Sequence, residues 1–308
     1  MLYDLRDMSS AMRESKEILE NLVKFAEHDH NVRAVMLNGS RVNQNAPEDI
    51  YQDYDVIFFV VDAEKEFYKK DQSWIHQFGQ LVICQQNNFG KGDYIFLMQF
   101  ADGVRIDLTF KDIAKIHEEI EKDSLSKILL DKDHTVRDIA DPSEETYYVK
   151  RPSQEEWEST LNEIWWIQIY IAREICRDEL PFARYLYDAI FMVEIVKLLS
   201  WFIGNEYDWK INVGKCGKWF KRLLRKELYD EFKELYSNND YQDIWRNMRR
   251  ARTLVRQIGL ELGNKLHYQY PLVDDNNVTD YLSKFDEIIE RMGEGDESMQ
   301  LNNPSEVV

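Results

Sequence analysis

Asn38-Gly39-Ser40-Arg41 and, after a polar interval, Gln52-Asp53-Tyr54-Asp55-Val56-Ile57-Phe58-Phe59-Val60-Val61 are the stretches whose reading decides the fold. Successive side chains of a β-strand alternate between its two faces, so carboxylates at i and i+2 point the same way. Asp53 and Asp55 therefore converge. The residues behind them, Val56 to Val61, are apolar without alternation, the pattern of a strand covered on both sides. The pair stands at the edge of a rigid core.

A third carboxylate, Asp107, lies in Val104-Arg105-Ile106-Asp107-Leu108-Thr109-Phe110. There Val104, Ile106, Leu108 and Phe110 share one face, and Arg105, Asp107 and Thr109 the other. Asp107 joins the pair if the two strands are neighbours. Three clustered carboxylates repel one another unless cations neutralise them, and hard oxygen ligands select Mg²⁺ or Mn²⁺ over zinc. Two such ions about 3.5–4 Å apart clamp the attacking and leaving oxygens of a phosphoryl-type displacement. Upstream, Ala34 to Asn38 reads as a short strand ending at Gly39, where a backbone without a Cβ can approach a phosphate closely. Ser40 adds a hydroxyl there and Arg41 a charged fork. Such a layout holds two Mg²⁺ ions against a nucleoside triphosphate.

A strand ending in Gly-Ser, then Asp-x-Asp, then a lone strand aspartate resembles the DNA polymerase β-like nucleotidyltransferase superfamily. Within it the chain is similar to the aminoglycoside 6-adenylyltransferases, which inactivate streptomycin. The resemblance runs from about Leu19 to Tyr281. It rests on Asn38-Gly39-Ser40-Arg41, Gln52-Asp53-Tyr54-Asp55, Ile106-Asp107-Leu108-Thr109, Leu130-Asp131-Lys132-Asp133, Val213-Gly214-Lys215 and Leu266-His267-Tyr268. It implies an α+β fold, with an N-terminal nucleotidyltransferase domain (a mixed β-sheet flanked by helices) followed by a C-terminal helical bundle domain. It also implies transfer of AMP from ATP, with two Mg²⁺ ions, to a hydroxyl of a cationic antibiotic. The expected acceptor is the 6-hydroxyl of streptomycin, with release of pyrophosphate. Asp53 and Asp55 would hold both ions, Asp107 the catalytic one, and Gly39, Ser40 and Arg41 the triphosphate.

Composition agrees with such a substrate. At 308 residues and 44% hydrophobic content, the chain is long enough for about two ordinary domains with real cores. A net charge of -18 argues against nucleic acid, whose phosphates need a basic surface, and would draw in a polycationic small molecule. Cys84, Cys176 and Cys216 have no metal-ligand spacing and are odd in number, which fits unpaired thiols in a reducing cytoplasm. The histidines show no zinc spacing. Met1 to Arg6 carry two charges instead of an apolar stretch, and no segment approaches the ~20 apolar residues of a membrane span. A cytoplasmic protein, monomeric or homodimeric, is expected.

Along the chain, helical spacing over Ser9 to Glu27 precedes the first strand, with Ser9 or Ser10 as N-cap. After the carboxylate strand we expect a helix near Ala63 to Lys70, a strand at Leu81 to Gln85, a Gly90-Lys91-Gly92-Asp93 turn, and strands Tyr94 to Phe100 and Val104 to Phe110 about an Asp-Gly hairpin turn. Lys111 to Asp133 reads as helical. Two prolines in Asp141-Pro142 to Arg151-Pro152 mark a linker. The domains are then 1–145, catalytic, and 146–292, helical and substrate-binding. Residues 293–308 form an acidic tail of disordered composition. The helical half divides into 154–177, 181–202, 215–226, 228–236, 241–266 and 278–292.

Lys215 and Lys218 flank Cys216-Gly217 at an expected helix start, where N–H groups and lysine charge favour an anion. The family pattern Gly-Lys-x-x-Lys is kept there, which implies triphosphate contact. The attacking hydroxyl must lose a proton to a base. The metal cluster itself, Glu163, Asp188 and Glu194 are the candidates, and the last three are equally candidates for binding amines. Phe182-Ala183-Arg184-Tyr185 departs from the family pattern, which carries an acidic residue in this segment. That change leaves a lincosamide or a protein hydroxyl as alternative acceptors, and a catalytically inactive nucleotide-binding module as the rival from another class. Trp157, Trp165, Trp166, Tyr170 and Tyr187 read either as core or as the lining of a sugar or adenine pocket.

Overall fold

The strands β1 (Val32–Asn38), β2 (Tyr54–Val60), β3 (Leu81–Gly90), β4 (Asp93–Phe100), β5 (Arg105–Asp112) and β6 (Ser126–Asp131) form one sheet in the order β3-β4-β5-β2-β1-β6. The computed structural model describes residues 13–61, 65–90, 92–137, 139–236 and 238–292. These fall into two compact units, one running to Thr146 and the other starting at Tyr147. The sheet is mixed: β2 and β5 are parallel, and the other neighbours antiparallel.

The unbroken apolar run of β2 has the cause its sequence announces. Val56, Phe58 and Val60 pack into a cluster with Val35 and Leu37 of β1, with Ile18, Leu22 and Ala26 of the helix Ser15–His28, and with Tyr68, Trp74 and Phe78. Ile57 and Phe59 turn the other way, against Ala34, Met36 and Ile116. Both faces of the central strands are thus buried. The helix Ser15–His28 starts at Glu14 without a side-chain cap; Ser9 and Ser10, the expected caps, lie outside the described residues. Lys65–Lys70 is helical where 63–70 was expected to be.

The hairpins follow their glycines. Gly103 at φ +89° closes β4 onto β5, with Phe100 N–H donating to Val104 O at 2.8 Å. Gly90 and Gly92 take positive φ at the β3–β4 turn. β3 is longer than expected and runs to Gly90, because its polar Gln85 to Asn88 pair along β4 at an exposed edge.

Lys111 to Asp133 is not one helical segment. β5 continues to Asp112, only Ile116–Lys122 is α-helical, and Ser126–Asp131 is the edge strand β6. Ile128-Leu129-Leu130 is a short apolar run that local pattern cannot assign to helix or strand. The free edge of β1 decides it, since its backbone N–H and C=O groups need partners and take them from β6.

The second unit is helical: Gln154–Cys176, Leu180–Leu186, Met192–Glu206, Phe220–Leu223, Lys226–Lys233, Tyr241–Leu266, Leu272–Leu282 and Asp286–Met292. Gln154–Cys176 opens on a capping box between Ser153 and Glu156, which satisfies two otherwise orphan N–H donors. The single helix expected over 181–202 is interrupted by a π-helical turn at Tyr187–Phe191. The one expected over 278–292 begins earlier, at Leu272, and breaks at Ser283–Phe285. Trp157, Trp165 and Tyr187 belong to the core, while Trp166 and Tyr170 are exposed, with ring centroids 5.9 Å apart.

Candidate active site

Asp53, Asp55 and Asp107 meet at one edge of the sheet, with a carboxylate oxygen of each within 4.8 Å of the others. The register places them: Asp55 of β2 lies opposite Asp107 of β5 on one side and opposite Asn38 of β1 on the other. Asp53 immediately precedes β2 and points to the face of Asp55 by alternation. Asp107 is buried; Asp53 and Asp55 are half-buried.

Gly39 makes the room. It turns the chain at φ +75°, and a Cβ on it would lie 2.4 Å from Asp55 Oδ2, so only glycine lets the turn and the carboxylate coexist. The segment Gly39–Val42 then forms one 3₁₀ turn that carries Ser40, half-exposed, beside the trio.

Burial, followed by the charges of Asp53 and Asp107, pushes the Asp55 carboxyl up to about 7, against the pull of Arg105. Such a site favours a cation. Its donors are all carboxylate oxygens, which suit Mg²⁺ or Mn²⁺. Moreover, the buried Oδ1 of Asn38, the residue opposite Asp55, has no partner among the described residues. The residues present therefore fit a hard divalent ion.

Two arginines behave differently from simple anion binders. Arg41 is turned inward: its Nε donates to Asp53 O at 2.9 Å and its NH2 to Gln52 O at 2.5 Å, and it stacks 3.6 Å from the Tyr54 ring centroid. Burial lowers the pKa of its guanidinium. Arg105 grips Asp107 with both prongs, Nε to Oδ1 at 2.8 Å and NH2 to Oδ2 at 2.6 Å, and stands 4.0 Å from Asp53.

Sequence reading missed three participants. Asn38 Nδ2 donates to Asp123 Oδ2 at 3.0 Å and to Ser126 Oγ at 2.7 Å, which brings a fourth carboxylate up to the site. Glu144, buried, accepts from Asn43 at 2.7 Å and Asn45 at 2.8 Å, and so fastens the loop after Arg41. The Arg105 to Asp107 spacing carried a signal, since i and i+2 share a strand face; Asp123 and Glu144 carried none, being far away in sequence.

The remaining candidates lie in the second unit. Lys215 and Lys218 do not open a helix: Lys215–Gly217 is a single 3₁₀ turn, with Gly214, Cys216 and Gly217 at positive φ, and the four-residue helix starts only at Phe220. Three positive-φ residues within four positions mean that no regular helical N–H array opens at Lys215. Asp188 sits in the π turn and takes both oxygens to Arg184, at 2.8 and 2.7 Å. Glu194 lies 3.5 Å from Lys197. Glu163 is half-buried on Gln154–Cys176. Cys84, Cys176 and Cys216 are free thiols, and no helix among the described residues is long and apolar enough to cross a membrane.

A mixed sheet that gathers three carboxylates beside a Gly-Ser turn is the working part of a nucleotidyltransferase. The sequence profile of the family described as streptomycin adenylyltransferase matches residues 12–285. An aminoglycoside 6-adenylyltransferase of Campylobacter jejuni is 33% identical over 86% of this chain and 93% of its own length. One from Bacillus subtilis is 30% identical over 88% of this chain and 97% of its own. A crystal structure titled as an aminoglycoside 6-adenyltransferase from Bacillus subtilis aligns with TM-score 0.45 and 26% identity, over 89% of this chain and 99% of that one. The chain belongs to the streptomycin adenylyltransferase family of nucleotidyltransferases.

Proposed function

We propose that the protein transfers AMP from ATP to a hydroxyl of an aminoglycoside, the 6-hydroxyl of streptomycin, and releases pyrophosphate. The observation that carries this reading is the convergence of Asp53, Asp55 and Asp107 within 4.8 Å in a chain of this family. The unit up to Thr146 would be the catalytic domain and the unit from Tyr147 the one that selects the acceptor. Dependence on ATP would put the working enzyme in the cytoplasm.

Asp53, Asp55 and Asp107 would hold Mg²⁺, two ions in this reading, which supplies positive charge against the developing charge on the phosphoryl oxygens. The rest falls to the protein. Gly39 and Ser40 offer a backbone and a hydroxyl with no side chain in the way of a phosphate. Arg41 holds the approach to Asp53 in place. In the second unit, Lys215 and Lys218 remain the candidate triphosphate contacts. Glu163 is the better candidate base of the two nearest the family pattern, because Arg184 already occupies Asp188. The catalytic gain would come from positioning and charge neutralisation, without a covalent enzyme intermediate.

The test is pyrophosphate release by purified protein with ATP and Mg²⁺ over streptomycin, spectinomycin, kanamycin, lincomycin and no acceptor. Release with streptomycin alone is expected. Release only with lincomycin would transfer the reading to a lincosamide. Silence across the panel would remove the aminoglycoside assignment.

A further inference from the structure

Arg105 is the one cation that pairs with the carboxylate trio among the described residues. Its partner Asp107 is fixed: the side chain is 8% exposed, on a strand held between β2 and β4. Arg105 itself is 47% exposed. One member of the pair is therefore anchored while the other already faces water, so the pair can open from the arginine side without unburying a carboxylate. The fork also engages both oxygens of Asp107, and it lies near Asp53 as well, so its charge stands where a cation shared by the three carboxylates would need room.

Two positive charges cannot occupy such a site at full strength. A divalent ion brought among Asp53, Asp55 and Asp107 would meet the guanidinium at close range, where like charges repel, and would compete with it for the Asp107 lone pairs. Without any cation, on the other hand, three carboxylates this close would push apart or take up protons.

We propose that Arg105 is a resident counter-ion: it keeps the carboxylate trio assembled before the divalent ion arrives and yields Asp107 when the ion binds, thereby setting how tightly the site holds metal. The inference rests on the reading of the trio as a metal site. It makes Arg105 a positioning residue and opposes the alternative in which its fork orients Asp107 for the metal throughout.

The experiment is Mn²⁺ titration of the metal-stripped full chain, following free Mn²⁺ by electron paramagnetic resonance, for the wild type, Arg105→Ala and Arg105→Lys. Asp55→Asn serves as the blank for Mn²⁺ bound elsewhere on an acidic surface. Melting temperatures are read with and without Mn²⁺. With the competitor removed, Arg105→Ala should bind Mn²⁺ roughly two- to fivefold more tightly, the upper part of the range for an ion pair with an exposed partner. Its metal-free Tm should fall, and its Mn²⁺-induced rise in Tm should exceed that of the wild type. Arg105→Lys, which keeps the charge and loses the fork, should lie between the two and carries the test if the alanine variant does not fold. Equal or weaker Mn²⁺ binding in the Arg105 variants, with clear binding by the wild type, would overturn the counter-ion and leave the metal site standing. No binding above the Asp55→Asn blank in any protein would overturn both.

Discussion

A Cβ on Gly39 would lie 2.4 Å from Oδ2 of Asp55, so the turn that ends β1 and the carboxylate that opens β2 share one space. Gly39→Ala faces two costs. The left-handed backbone disfavours any Cβ by about 1–2 kcal/mol, and Asp55 must move away. Because a displacement of about 1 Å at a reacting centre can cost on the order of 10²-fold in rate, we expect at least that loss in AMP transfer. Circular dichroism should show the fold retained; undiminished activity would separate Asp55 from the chemistry.

Asp55→Asn keeps the shape and removes the charge that would hold a cation. Transfer should become undetectable while Tm without metal stays the same or rises, since the repulsion with Asp53 and Asp107 disappears. Full activity in the folded variant would end the metal assignment.

Because its folded-state pKa of about 7 lies above the ordinary carboxylate value, Asp55 ties the stability of the metal-free protein to pH. Its contribution is fully present below the ordinary carboxylate range and is lost as pH rises through about 7, because the folded state binds the extra proton. Tm of metal-free wild type should therefore decline between about pH 4 and pH 7 more steeply than Tm of Asp55→Asn. Metal affinity should run the opposite way and weaken as pH drops below about 7, since the ligand must be deprotonated.

Arg41 offers a choice between phosphate contact and structural strut. Its hydrogen bonds to the carbonyls of Gln52 and Asp53 favour the strut. Arg41→Ala should cost about 0.5–1.5 kcal/mol in urea unfolding, since two half-buried carbonyls lose their donor. It should also lower kcat more than it raises KM for ATP. A rise in KM alone would return Arg41 to the triphosphate.

In the helical unit, fully buried Asp275 accepts from Arg256 Nε at 2.6 Å and from Tyr270 Oη at 2.7 Å. Asp275→Asn leaves a cation and a phenol without their anion. With Arg256 still partly in water, a loss of about 2–3 kcal/mol is expected, below the roughly 3–5 kcal/mol of a fully buried pair, read as a lower urea midpoint with unchanged slope.

Much of this was legible in the residues. The helix Tyr241–Leu266 appears as its apolar spacing predicted, and the Asp-Gly hairpin closes where Gly103 permits it. What stayed illegible was non-local or ambiguous. Ile128-Leu129-Leu130 fits a helix or a strand until β1 presents an open edge. The break at Tyr187–Phe191 leaves no mark in apolar spacing, because Leu186, Tyr187 and Phe191 are core residues on either reading. Arg41, read as a triphosphate contact, is bonded to carbonyls, while Arg105, read only as sharing the face of Asp107, grips that carboxylate.

By itself, the sequence determined that Asp53 and Asp55 share a face, that β2 is buried on both sides, and that the strand upstream of them ends at a glycine. These are properties of short segments, governed by alternation and by the missing Cβ. Only the tertiary structure decided that β5 lies parallel to β2 with Asp107 opposite Asp55, that Asp123 reaches the site through Asn38, and that Arg105 pairs with Asp107 beside Asp53. Strand partner, register and the choice of counter-ion depend on which distant segments meet, and hydrophobic burial of whole faces settles that before any single charge can.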